Sequence, residues 1–251
     1  MIILKIYIIF LILFYLILNQ KKNFFKKKTN LNSNEDRILL KFNHKNIIRL
    51  KKVETKYNLF KVLYLEYFDA PSISKINVED YINNRDWEEN VKNIMFQLIS
   101  AIKHIHEAGV IHNDIHPDNI LYNEKTKKIL ILDFDEAIIN TGKVQNLGNR
   151  YYTAPEKVIA YENKTNINNK VDIYSLGCIF HVLLTGYTIY WDTRADKIHK
   201  KDDKFNGISL NHLEKYSNEC KNLLFKMLYK NHSKRISAEE AFEHNWFKNK
   251  L

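Results

Sequence analysis

The chain has 251 residues, 45% of them hydrophobic and 27% charged, which is too apolar for a disordered segment and enough for a folded core. Its formal charge is +10, yet five lysines (Lys21, Lys22, Lys26, Lys27 and Lys28) form one cluster. No aromatic-interleaved basic face or zinc-ligand spacing accompanies them, which speaks against nucleic-acid binding. Two cysteines, Cys178 and Cys220, exclude a disulfide framework and fit a reducing compartment.

Residues 1–18, MIILKIYIIFLILFYLIL, are apolar apart from Lys5 and two tyrosine hydroxyls, about the length a helix needs to cross a bilayer. No Gly, Pro, Asn or Asp interrupts the run, and Asn19-Gln20 stand where a cleavage site would carry small residues. Residues 1–19 therefore read as a hydrophobic helix that anchors the protein in a membrane. The lysines behind it predict that the rest faces the cytoplasm; a chain start misplaced by gene prediction would make the protein simply cytoplasmic. Residues 20–34 read as a basic juxtamembrane linker. A short helix is expected over 35–40, with Ser33 able to cap it and Asp36 three residues on. Residues 62–68 form an apolar, strand-like run with Glu66 near its end. Over 90–108, Val91, Ile94, Met95, Leu98, Ile102 and Ile105 recur at helical spacing, and Gly109 follows as a stop.

The chemistry concentrates in residues 111–135, IHNDIHPDNILYNEKTKKILILDFD. A charged turn at 123–128 and the apolar run 129–132 predict a β-hairpin flanked by polar loops. Asp114 and Asn119 lie five residues apart, and Asp133 ends the buried strand. Phosphoryl transfer uses such a set: one carboxylate to orient the attacking hydroxyl and take its proton, an amide oxygen and a second carboxylate to hold Mg²⁺.

His112-Asn113-Asp114-Ile115-His116-Pro117-Asp118-Asn119 resembles the protein-kinase catalytic loop H-R-D-L-K-x-x-N, and Asp133-Phe134-Asp135 resembles D-F-G. Ala154-Pro155-Glu156 follows as A-P-E, Asp172-Ile173-Tyr174-Ser175-Leu176-Gly177 resembles D-x-W-S-x-G, and residues 217–247 resemble the last helices of calcium/calmodulin-dependent and calcium-dependent kinases. The resemblance implies an α+β, protein-kinase-like fold: a reduced, β-rich N-lobe with its hinge over 35–68 and a mainly helical C-lobe over 69–251. It implies a kinase that moves the γ-phosphate of ATP to Ser/Thr hydroxyls of a protein substrate. Asp114 is then the catalytic base, His116 stands where a lysine would meet the phosphate, and Asn119 and Asp133 hold Mg²⁺. Leu65, Glu66, Phe68 and Leu121 border ATP together with Asp133.

The resemblance also marks departures. No G-x-G-x-x-G precedes Glu35, the glutamate expected to pair with a strand lysine. Phe24-Phe25-Lys26 resembles V-A-I-K at a short distance from Glu35, while Lys21 and Lys22 are better spaced but lack the pattern. Asn113 replaces arginine, so phosphorylation at Thr141, Tyr151, Tyr152 or Thr153 is not expected to act as a switch. Asn149 stands where a threonine would contact the base, and could itself bridge Asp114. Asp135 replaces glycine. The alternative implied by these changes is a pseudokinase acting as a binding module. Glu156 and Arg235 are expected to form a buried ion pair, and Leu39, Leu50, His112 and Phe134 a hydrophobic column. No EF-hand loop is present, so no direct calcium site is expected.

Overall fold

The computed structural model describes residues 24–140, 142–189 and 210–248. The predicted anchor over 1–19 lies outside them, and among the described residues no helix is long and apolar enough to cross a membrane. The chain divides into two units: one ends at Asn32 and resumes over Arg49–Phe68, and the other holds Ser33–Ile48 and everything from Asp69 onward.

The first unit is an antiparallel sheet of β1 (Phe24–Asn30), β2 (Leu50–Lys56) and β3 (Phe60–Glu66), in the order β1-β3-β2. Seven residues of the expected basic linker are thus strand, because the run alternates. Phe25, Lys27 and Thr29 lie opposite Leu65, Leu63 and Lys61, while Phe24, Lys26 and Lys28 lie opposite Glu66, Tyr64 and Val62. Leu63 and Leu65 are buried on the first face. On the other, the Lys26 ammonium sits over the rings of Tyr64 and Phe24, at 5.3 and 5.7 Å. Tyr57 and Asn58 both take left-handed φ (52° and 53°) to turn β2 back into β3.

The second unit is built on two helices. The stretch expected to be helical over 90–108 is α2 (Trp87–Glu107), one turn longer at its start, because the Trp87 indole is anchored on the Leu183 carbonyl at 2.7 Å. Its buried stripe includes Val91, Ile94, Met95, Leu98, Ile102 and Ile105, and Gly109 leaves it at φ 71°. Helix α4 (Lys170–Thr185) is buried almost throughout, Tyr174, Cys178 and Phe180 included. Preceding both is α1 (Glu35–Leu39); Ser33 Oγ accepts from the Glu35 amide at 3.2 Å, so the cap works one residue outside the position expected for it. Between them lies α3 (Pro155–Asn163).

At the C-terminal end, α5 (Asn218–Met227) and α6 (Ala238–Phe242) begin at Ser217 and Ser237, and α6 has a complete capping box with Glu240. Glu88, in the first turn of α2, accepts from Ser217 and from the Trp246 indole, tying the last segments to the long helix.

Among the histidines that burial holds neutral in this unit are His44 and His181. His44 stacks on His104 with ring centroids 5.4 Å apart, and its pKa is lowered from 6.5 to about 4 by burial, then by His104 and Lys45. His181 donates from Nδ1 to the Tyr187 carbonyl at 2.9 Å and is likewise lowered to about 4, mainly by burial. Their unfolded forms bind protons first, so stability is complete above pH 6.5 and falls as the pH drops from 6.5 toward 4. Urea midpoints measured across that window should decline, and His181→Asn should flatten the decline. A midpoint independent of pH would contradict the burial of both rings.

Candidate active site

The expected hairpin forms. After β4 (Val110–Ile111), strands β5 (Ile120–Asn123) and β6 (Lys128–Ile131) pair with Ile120 opposite Ile131 and Leu121 opposite Leu130. At its open end the Leu132 amide donates to the Asn119 carbonyl at 2.8 Å, which sets Asp133 beside Asn119.

The loop before the hairpin is held from three directions. Buried Asp172 on α4 accepts from the amides of His112 and Asn113 at 2.9 Å each, and from His106 Nε2 at 2.9 Å. Burial alone would raise its carboxyl; the His106 and loop hydrogen bonds outweigh burial and keep its pKa below the usual range. Asn113 is left-handed (φ 67°), and its side-chain amide donates to the Glu136 carbonyl at 3.0 Å. Its own carbonyl accepts from Lys157 Nζ at 2.5 Å.

This frame brings Asp114, His116 and Asn119 together. His116 Nε2 lies 3.5 Å from Asp114 Oδ2. Asn119 Nδ2 donates to the Asp114 carbonyl at 3.0 Å and approaches its Oδ2 at 3.3 Å, leaving the amide oxygen, the atom a cation would take. Burial pushes the half-buried Asp114 carboxyl up, but His116, Lys157 and His112 outweigh it, so its pKa is lowered and it is ionised at neutral pH. Gly148 closes this face in a left-handed conformation, and a Cβ there would collide with Asp114 Oδ1. Gly148→Ala should therefore displace the carboxylate, lowering phosphate transfer by about 10²-fold and stability by about 1–2 kcal/mol. Parallel kinetics and urea titration check both; unchanged turnover would show that the contact is unimportant.

Asn149, expected to be free to bridge Asp114, instead accepts from the Tyr151 amide at 3.2 Å and caps a short 3-10 turn. The wrap that begins there also hides hydroxyls. Thr153 donates between the carbonyls of Leu147 and Asn149, burial pushes Tyr152 up to about 12, and Tyr151 stays 51% exposed. Thr141 lies outside the described residues.

Asp133, also left-handed (φ 61°), accepts from the Asp135 amide at 3.2 Å. Glu35 accepts from the Phe134 amide at 3.1 Å, and carboxylate oxygens of Glu35, Asp133 and Asp135 lie within 4.8 Å of one another. Three carboxylates form a hard, all-oxygen donor set that suits Mg²⁺. Phe134 is fully buried against His112 (4.6 Å) and Phe42 (5.2 Å). Leu39 is buried in the same unit, Leu50 belongs to the other, and Phe42 joins the Phe134 cluster unforeseen.

Of the predicted nucleotide neighbours, Leu121 lies on β5 in the second unit, and Leu65, Glu66 and Phe68 in the first. Glu66 is engaged with Arg49: its amide donates to the Arg49 carbonyl and its carboxylate accepts from the Arg49 amide, both at 2.9 Å. Lys157, His106 and Gly148 escaped sequence reasoning. A lysine directly after Ala154-Pro155-Glu156, entering an otherwise apolar turn, was the available signal.

A catalytic-type loop braced by a buried aspartate, a hairpin ending in Asp-Phe-Asp, and the long helices of the same unit define a protein-kinase-like domain. The chain belongs to the eukaryotic protein kinase superfamily: it matches the protein kinase domain family over residues 17–247. It is of the serine/threonine type and similar to the calcium/calmodulin-dependent group. It is 31% identical over 222 residues to calcium-dependent protein kinase 5 of Plasmodium falciparum (isolate 3D7), covering 84% of this chain and 37% of that protein. It is 30% identical over 220 residues to the calcium/calmodulin-dependent protein kinase type II alpha chain of Drosophila melanogaster, covering 84% and 40%. With a probable serine/threonine-protein kinase, fhkC, of Dictyostelium discoideum it shares 29% identity over 236 residues, 89% of this chain and 38% of that one. The chain thus matches less than half the length of each of these relatives.

Proposed function

We propose that this chain is an active protein kinase that moves the γ-phosphate of ATP to serine and threonine hydroxyls of protein substrates. The observation that carries this reading is the Asp114 carboxylate, ionised, half-buried and hydrogen-bonded by Asn119. A carboxylate in that state is suited to orient a substrate hydroxyl and accept its proton. His116, beside it, would donate a hydrogen bond toward the transferring phosphate. Asn119 and Asp133 would hold Mg²⁺, whose charge offsets that of the phosphates.

The hinge backbone from Glu66 to Phe68 would take the adenine, with Leu65 as an apolar neighbour. Because the Glu66 amide already donates to Arg49, the Phe68 amide is our choice of donor. For the phosphate-holding lysine we choose Lys27, which shares a face of β1 with the positions opposite Leu63 and Leu65, over Lys26, whose ammonium rests on the rings of Tyr64 and Phe24.

One observation favours the second reading, a pseudokinase acting as a binding module: Asn149 is engaged in capping and does not bridge Asp114. The deciding experiment incubates the full chain with Mg-ATP and a generic basic protein, followed by phosphoamino-acid analysis. Phosphoserine and phosphothreonine are expected. A folded sample whose melting temperature rises with Mg-ATP, but which transfers nothing, would replace the enzyme with the binding module.

A further inference from the structure

The catalytic loop carries neither basic side chain of the pattern it resembles: Asn113 and His116 stand where arginine and lysine would be. A cation reaches the loop from elsewhere. Lys157, in the first turn of α3, is 5% exposed, and its Nζ lies 2.5 Å from the Asn113 carbonyl. That carbonyl belongs to the peptide joining Asn113 to Asp114, so its direction sets the direction of the Asp114 side chain. A Cβ on Gly148 would collide with Asp114 Oδ1 and lie 3.7 Å from Lys157 Nζ, so the carboxylate and the ammonium both border the space at this glycine.

We propose that Lys157 is a positioning residue for phosphate transfer: its ammonium fixes the Asn113–Asp114 peptide and faces the Asp114 carboxylate, supplying from α3 the positive charge the catalytic loop lacks. The proposal deepens the kinase reading and rests on it. A lysine on a protein surface usually extends its amine into water; this one ends on a buried carbonyl. Burial lowers its pKa while Asp114, Asp172 and Glu136 oppose that shift, so three carboxylates from separate segments favour the charged form.

The test uses the full chain and separates charge from hydrogen bonding. Lys157→Gln retains a donor for the Asn113 carbonyl but no charge, and should lower kcat by about tenfold or more with both KM values within about twofold. Lys157→Arg, which retains the charge, should recover most of that loss. Independently of activity, urea unfolding of wild type, Lys157→Met, Asp114→Asn and the double variant should give a non-additive cycle, with a coupling of about fivefold or more in the unfolding constant. Wild-type turnover in Lys157→Gln, or an additive cycle, would overturn the proposal. A wild type without any phosphate transfer would overturn the kinase reading alone, and the cycle would still decide whether Lys157 and Asp114 are paired.

Discussion

Asp114→Asn should lower phosphate transfer by about 10²–10⁴-fold, the range associated with removing a positioned general base, while the protein still folds. The substitution retains the shape of the side chain and its contact with Asn119. It removes the proposed acceptor for the substrate's proton and the negative charge near His116 and Lys157. The pKa of Asp114 is lowered in the fold, so its ionised form contributes stability above the unfolded value of 3.8. A modest fall in the urea midpoint is therefore expected at pH 7, well short of unfolding. Single-turnover transfer and circular dichroism on the same samples check both halves. A variant that turns over like the wild type would remove Asp114 from the chemistry.

The second large effect concerns stability. Glu156→Ala should destabilise the protein by about 3–5 kcal/mol, because it strands a buried guanidinium. Arg235 is 1% exposed and binds Glu156 through both terminal nitrogens, at 2.5 and 2.9 Å. Its remaining hydrogen bonds go to the carbonyls of Tyr229, Lys170 and Lys230, and its plane lies over Tyr174 at 4.8 Å. Carbonyls supply partial charges, so they do not replace a carboxylate. Domains of ordinary stability have about 5–15 kcal/mol in total, which makes this loss visible as a large drop in the urea midpoint. Glu156→Ala combined with Arg235→Met should be more stable than Glu156→Ala alone, since no uncompensated charge remains. A loss below about 1 kcal/mol would show that water reaches the guanidinium after all.

Much of the architecture was legible because its chemistry is contiguous. The α2 stripe repeats at helical spacing, the hairpin runs as strand, charged turn and strand, and Gly109 stands where the long helix must stop. The Glu156–Arg235 pair, 79 positions apart, was read through family resemblance, and the structure joins it. The short run after the apolar N-terminal segment was misleading. Its lysines suggested a solvated linker, yet alternate positions face buried Leu63 and Leu65, and pairing with β3 makes it a strand. Clustered charge obscured a period of two, because pairing depends on a partner strand more than thirty residues away.

What the sequence by itself determined is the kinase class and the candidate groups for the proposed chemistry, Asp114, Asn119 and Asp133, because these follow one another along a single loop and hairpin. Tertiary structure alone decided how the loop is held. It brought Lys157 onto the Asn113 carbonyl from 44 positions away and set Gly148 against Asp114. It also turned Asn149 toward Tyr151 and separated Lys27 from Lys26 by the face of a strand. The reason is physical: a side chain's chemistry is written at its own position, but its partner, burial and direction are set by segments that meet only when the chain packs.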